Sequence, residues 1–129
     1  TRHNVMLYEI LSDLVKIENV LFVIKSEGVV SEIRSNELTI RQKEKWITIG
    51  DNDGPAHMHV NSEIITSAEF IQEQKPDKIS FSIRFFDEND ERIVAAFFTK
   101  MYDDSKNLIS ERKDFYDSLH EKYSSKIKF

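Results

Sequence analysis

Two apolar segments separated by a short polar stretch constrain the fold more than any other feature of the chain. In the first segment, residues 78–86, the apolar side chains occupy alternate positions: Ile79, Phe81, Ile83 and Phe85. The second, residues 92–100, is apolar on both faces around positions 93–98 and should be central in a sheet. The polar residues 87–91 can only form a hairpin loop. A connection this short holds no crossover helix, so the two strands are antiparallel neighbours.

The remaining periodicities predict a helix at each end of the chain. Apolar residues between 4 and 17 recur at intervals of three and four, as in an amphipathic helix. A second helix is predicted from Asp103 or Asp104, as N-cap, to Tyr123. Its predicted apolar face consists of Leu108, Phe115, Leu119 and Tyr123, with Ile109 and Tyr116 flanking.

Further strands are predicted between the helices, at residues 20–24, 29–34, 38–42, 46–49, 56–61 and 67–73. Residues 50–55, rich in Gly, Asp and Pro, form a loop. The order helix, seven or eight strands, helix, with short connections, predicts an α+β fold with an antiparallel sheet. A length of 129 residues predicts a single domain over residues 1–129.

Composition excludes several classes of function. The chain has no cysteine, which excludes disulfides and thiolate chemistry. Its net charge is −5 and its basic residues are dispersed, which argues against nucleic acid as a partner. No apolar run approaches the about 18 residues of a membrane span. No signal-peptide pattern is visible, so a cytoplasmic location is expected.

The sharpest candidate for chemistry is the sequence His57-Met58-His59. Residues two apart on a strand point to the same side, about 6.6 Å apart along the backbone. Neutral imidazole is the commonest metal ligand near neutral pH, so the pair can share a metal ion or flank a flat ligand. The alternative is a solvent-facing pair, or one that is hydrogen-bonded to the acidic loop with Asp51 and Asp53.

His57, His59 and Glu63 also match part of the cupin metal motif, which makes a metal-dependent enzyme one hypothesis. The match is incomplete, because no glycine follows Gly54 and the second cupin motif has no counterpart. Neither a nucleophile elbow nor a glycine-rich phosphate loop is present. The sequence therefore favours a non-enzymatic function.

Three segments in the C-terminal half read IRFFDEND (residues 83–90), IVAAFF (93–98) and DDSKNLISE (103–111). The order is a strand ending in two phenylalanines, a hairpin, a second apolar strand ending in Phe, and a helix preceded by two aspartates. This order resembles the ChuX/HutX/HemS haem-utilisation family, in its single-copy form. A looser similarity extends over residues 11–123.

The resemblance implies a homodimer that binds haem and hands it on, or in some members degrades it. It also implies a set of haem contacts: His57 or His59 as axial iron ligand, Trp46 against the macrocycle, and Arg41 and Lys45 at the propionates. The family's Arg-His-Gly segment has no counterpart, since residues 44–49 contain no histidine. A non-enzymatic interaction or dimerisation module that kept the fold and lost haem is therefore the alternative.

Overall fold

The computed structural model describes residues 5–129, so the predicted first residue of the N-terminal helix, Asn4, lies outside them. No helix in this part of the chain is long and apolar enough to cross a membrane. The elements follow in the order α1 (Val5–Val15), β1 (Val20–Ser26), β2 (Val29–Arg34), β3 (Ile40–Lys43), β4 (Trp46–Ile49), β5 (Met58–Asn61), β6 (Ser67–Gln74), β7 (Ile79–Phe86), β8 (Arg92–Phe98), α2 (Ser110–Tyr123) and β9 (Lys126–Lys128).

The strands form two antiparallel sheets instead of the single sheet that was predicted. The large sheet has six strands in the order β2-β1-β8-β7-β6-β9, and the small sheet has the order β3-β4-β5. The predicted hairpin, β7 with β8, is confirmed, and β8 is central as expected. Periodicity identifies a strand but not its partner, so the division into two sheets was not visible in the sequence.

One continuous core joins the two sheets and the two helices. The large sheet contributes Phe22, Ile83 and Phe85, and the small sheet contributes Ile47 and Ile49 from its inner face. In α2 the ring of Tyr116 makes T-shaped contacts with three phenylalanines, at centroid distances of 5.5, 5.2 and 5.1 Å: Phe70, Phe81 and Phe98. Each sheet therefore turns one face towards the shared core and the other away from it.

The predicted start of the second helix is wrong, because α2 begins at Ser110. The Asp103 carboxylate accepts hydrogen bonds from the backbone N–H groups of Ser105 and Asn107, each at 2.9 Å. Asp103 thus caps a turn, in which Lys106 has a φ of 66°. Aspartate side chains cap turns of this kind as well as the N-termini of helices, so the sequence alone does not distinguish the two.

The later start also changes the buried face of α2. Its buried residues are Tyr116, Leu119 and Tyr123, whereas Leu108 and Phe115 are 38% and 40% exposed. Leu108 precedes the helix, so its predicted place on the apolar face of that helix is wrong. After α2 the short strand β9 pairs with β6, and its three residues were too few to be predicted.

Candidate functional site

The predicted site residues lie on the side of the small sheet that faces away from the core. Strand alternation buries Ile47 and Val60 on the inner side. The outward residues form two rows across the three strands: Arg41, Thr48 and His59 in one, and Lys43, Trp46 and Asn61 in the other. We call this surface, together with His57, the imidazole face.

His59 is exposed, but its ring is held in place. Its Nδ1 lies 2.9 Å from Oγ1 of Thr48, the residue directly opposite on β4. Thr48 is only 7% exposed, so this hydroxyl is a fixed partner. Among the described residues no hydrogen bond to Nε2 is formed, which leaves that nitrogen available to a ligand.

His57 lies one residue before β5 and is brought against His59 by a glycine. The two imidazoles are in T-shaped contact with centroids 5.2 Å apart. Gly50 has a φ of +89°, and a Cβ there would lie 2.5 Å from the carbonyl oxygen of Ala56 and 3.1 Å from Cβ of His57. Only glycine allows the chain to pass this close, so Gly50 sets the position of His57.

The other three predicted residues lie on or beside the same face. Trp46 is 43% exposed, and Nζ of Lys45 lies 5.8 Å from its ring centroid. Lys45 belongs to the two-residue turn between β3 and β4, where Glu44 has a φ of 56°. Arg41 Nη1 donates a hydrogen bond of 3.2 Å to the carbonyl of Gly50. The five residues predicted from sequence therefore belong to one surface.

Two depressions meet at Trp46 and His59. The first has a volume of about 550 Å³ and is lined by Arg41, Gln42, Lys43, Glu44, Trp46, Thr48, Asn52 and His59. The second is an apolar cleft of about 250 Å³ between the two sheets, lined by Ile24, Trp46, Met58, His59, Val60, Asn61, Ile64, Ile65, Ile93 and Val94. A ligand at His59 thus has polar side chains on one side and apolar ones on the other.

The structure does not bring Glu63 together with the two histidines as a metal site. Over residues 5–129, no group of three or more His, Cys, Asp or Glu side chains is arranged to hold a metal ion. Glu63 lies instead in the turn after β5 and lines a separate hollow with Asp87 and Glu88. The cupin-type metal site is therefore not supported by the geometry.

Comparison with known proteins agrees with the resemblance. A protein-family model matches residues 8–124 of the chain. No curated protein sequence matches significantly. Among solved structures, a crystal structure of ChuX superimposes with a TM-score of 0.78 at 17% identity, covering 92% of this chain and 72% of that one.

Two longer proteins are similar as well. The holo form of PhuS, a heme-binding protein from Pseudomonas aeruginosa, gives a TM-score of 0.69 at 15% identity, over 89% of this chain and 32% of that one. ChuS, an E. coli heme oxygenase, gives 0.68 at 18%, over 90% of this chain and 35% of that one. At these identities the superpositions establish the fold alone.

The fold is thus that of the haem-utilisation proteins. With the family model matching most of its length, the chain belongs to the ChuX/HutX-like family, as a diverged member.

Proposed function

We propose that the chain binds haem at the imidazole face, with His59 as the axial ligand. The observation that carries this proposal is the fixed orientation of the His59 ring. If Nδ1–H donates to Thr48 Oγ1, the lone pair is on Nε2, which is the arrangement a metal-ligating imidazole needs. Bound haem would supply an iron centre that accepts this nitrogen.

His57 is assigned a supporting role beside His59. Two imidazoles on opposite faces of one macrocycle need centroids about 6 Å or more apart, because each metal–nitrogen bond is about 2 Å long. The observed 5.2 Å contact leaves no room for a macrocycle between the two rings. His57 packs edge-on against His59 and restricts its rotation.

The residue types around His59 fit the macrocycle and the carboxylates of haem. Trp46 offers an exposed aromatic surface beside an apolar cleft, and Arg41, Lys43 and Lys45 offer positive charge for carboxylates. Arg41 keeps further N–H donors after its bond to Gly50. ChuX and PhuS, which have the same fold, are heme-binding proteins, and this supports the proposal.

The test is a haemin titration of the wild type and three single-histidine variants. We expect a red-shifted Soret band in the wild type, its loss in His59→Ala, and its retention in His57→Ala with weaker binding. His120→Ala is the matched control, because His120 lies on α2 and bonds to Ser125. An unchanged spectrum in His59→Ala contradicts the assignment of the ligand. The absence of any shift in the wild type favours an interaction module that lost haem.

A second copy is the proposed partner. The edge strand β2 leaves Val29 and Val30 60% and 54% exposed, and an unpaired edge with apolar side chains favours association. Sedimentation equilibrium of the wild type and of Val30→Lys measures this, and a monomeric wild type contradicts it. A single domain over residues 1–129, a cytoplasmic location and the lack of enzymatic activity stay predictions.

A further inference from the structure

Two short turns lie side by side where β5 leads into β6 and where β7 leads into β8. The backbone N–H of Thr66, in the first turn, donates a hydrogen bond of 2.9 Å to the carbonyl of Phe86, where the second turn begins. Ser67 is the strand partner of the same Phe86, so the turns are adjacent because β6 pairs with β7. Residues more than twenty positions apart in the sequence thereby form one surface.

The first turn holds an isoleucine at the surface. Asn61 Oδ1 accepts a hydrogen bond of 3.0 Å from the backbone N–H of Glu63, and the Asn61 carbonyl accepts one of 3.1 Å from that of Ile64. The next residue, Ile65, is buried in the core, whereas Ile64 is 48% exposed. Because Ile65 occupies the core position and Asn61 fixes the turn, the Ile64 side chain stays in solvent.

Ile64 lies where two hollows meet. One is the apolar cleft of about 250 Å³ between the sheets, which Ile64 lines together with Trp46. The other has a volume of about 190 Å³ and is lined by Glu63, Ile64, Thr66, Asp87, Glu88 and Asn89. We call the second hollow, together with Ile64 and Trp46 at the cleft, the acidic end. It presents an apolar cavity beside carboxylates.

The carboxylates of the acidic end have no cationic partner. Neither hollow has a lysine or an arginine in its lining, and within residues 5–129 no salt bridge involves Glu63, Asp87 or Glu88. Asp87 is used by its own turn, since its Oδ1 accepts hydrogen bonds of 2.8 and 3.0 Å from the backbone N–H groups of Asn89 and Glu91. The exposed carboxylates of Glu63 and Glu88 are therefore left for a cation from outside the chain.

The outward face of the large sheet carries the opposite charge. Its concavity has Leu21, Val23 and Phe97 as an apolar floor, surrounded by six cationic side chains and two carboxylates: Lys25, Lys75, Lys78, Arg84, Arg92 and Lys100, against Glu32 and Glu73. We call this surface the basic face. A cationic partner is repelled by the basic face and attracted to the acidic end, so its charge decides where it approaches.

A second copy of the chain does not fit the acidic end. In a two-fold symmetric contact the same surface of both copies meets, so the carboxylates of Glu63 and Glu88 would face like charges. Such a juxtaposition opposes association. Nucleic acid is repelled for the same reason. A segment of another protein fits, if it has an apolar side chain for the cleft and a cation for the carboxylates.

We propose that the acidic end is a docking site for another protein, through a segment that presents a large apolar side chain next to lysine or arginine. The apolar side chain enters the cleft beside Ile64 and Trp46, and the cation meets Glu63 and Glu88. Both turns are held by their own hydrogen bonds, so docking has little of this surface to order. The docking site goes beyond the haem proposal, because it requires neither a metal nor a histidine nitrogen.

The probe is a fluorescein-labelled hexapeptide in which leucine and lysine alternate, followed by its fluorescence anisotropy. Its matched controls have serine in place of leucine, or glutamate in place of lysine. Trp46 is the single tryptophan of the chain and lines the cleft, so the unlabelled peptide should also change the tryptophan emission. We expect Ile64→Ser to weaken binding about tenfold, through lost apolar burial. Glu88→Gln should weaken it about threefold, as an exposed ion pair does.

Met6→Ser and Glu121→Gln are the control variants, because both side chains are exposed and lie on the helices. They should bind the leucine–lysine peptide as the wild type does. Circular dichroism of Ile64→Ser separates lost binding from lost structure. Glu88→Gln should leave the haemin Soret band unchanged, so the docking proposal and the haem proposal can fail separately.

Three results would overturn the docking proposal. The first is a wild type that does not bind the leucine–lysine peptide, or that binds either control peptide equally well. The second is unchanged binding in Ile64→Ser and Glu88→Gln, or an equal loss in Glu121→Gln, which would mean attraction to the net charge alone. The third is a wild-type dimer that Ile64→Ser dissociates, which would make a second copy the occupant.

Discussion

The imidazole face offers nitrogen atoms to a ligand, whereas the basic face offers positive charge over an apolar floor. The first is built on three strands of four residues each and contains the exposed His57 and His59. The second is built on the outward face of the six-stranded sheet, and its lining contains no histidine. The comparison separates a face whose imidazoles can ligate a metal from a face that presents positive charge over apolar side chains.

The two faces also differ in how their backbones are constrained, and this gives the largest predicted effect. Gly50→Ala should cost about 3 kcal/mol of unfolding free energy, from the strained φ and the overlap with Ala56. Gly28 lies in the β1–β2 turn with a φ of +80°, and an added Cβ there would have no atom within 4 Å. Gly28→Ala should therefore cost only about 1 kcal/mol of unfolding free energy. Urea denaturation measures both. Equal losses would contradict the claim that the chain passes too close to Gly50 for any side chain there.

Removal of the Thr48 hydroxyl tests whether the hydrogen bond that orients the His59 ring contributes to haemin binding. Thr48→Val should weaken haemin binding about tenfold, because partners that orient a ligating histidine contribute about that much. Thr39→Val is the control, since the Thr39 hydroxyl bonds to Asp51. Spectroscopic titration gives the dissociation constants. If both variants bind alike, the Thr48 contact has no role in the site.

Ionic strength should separate the two faces without any mutation. Between low and about 0.5 M salt, an anion held by charge alone, as on the basic face, should bind about fivefold more weakly, because exposed charges are screened over a few ångströms. Haemin binding at His59 should weaken less, since salt screens the contacts of its carboxylates with Arg41, Lys43 and Lys45 but not its coordination bond. A fivefold loss in the haemin titration would mean that haemin is held by charge and not by His59.

The smallest effect concerns the helices and leaves both faces unchanged. Burial opposes ionisation of Asp13, but hydrogen bonds from Lys122 and Tyr123 outweigh it and lower the pKa of the Asp13 carboxyl. A carboxyl group whose pKa is lower in the folded than in the unfolded state stabilises the fold at pH values above the unfolded pKa. This stability is lost as pH falls below about 4. Asp13→Asn should therefore cost about 0.5 kcal/mol at neutral pH, and this cost should shrink as pH falls below about 4.

Thermal melts of wild type and Asp13→Asn from pH 3 to 7 measure that difference. Haemin and the leucine–lysine peptide should bind Asp13→Asn as they bind the wild type. A binding defect in this variant would show that the binding assays respond to general stability.

Much of the architecture could be predicted from periodicity, because each strand alternates around one core. Strand β4 begins at Trp46 and ends at Ile49, as predicted, and the β7–β8 hairpin pairs as expected. The start of α2 could not be predicted, since Asp103 serves a turn as readily as a helix. The division into two sheets depends on long-range pairing that no local pattern contains.

The two faces also differ in how far the sequence predicts them. The imidazole face was predictable because His57 and His59 are two residues apart at the start of β5, and Trp46 and Arg41 follow from the neighbouring strands. The basic face was missed because Lys25, Arg84 and Phe97 meet only once β1, β8 and β7 are adjacent. Its one local signal is the polar alternation in β7 that ends at Arg84, which an exposed strand would show equally.

The pairing of β1 with β8 also has a consequence for the order in which the chain folds. Val20 and Phe98 come from near opposite ends of the chain, yet they are partners in the middle of the large sheet. During synthesis the β1–β2 hairpin must therefore wait, with Phe22 uncovered, until β8 has left the ribosome. Long-range pairing of this kind slows folding and lengthens the time for which the apolar side of the β1–β2 hairpin is uncovered.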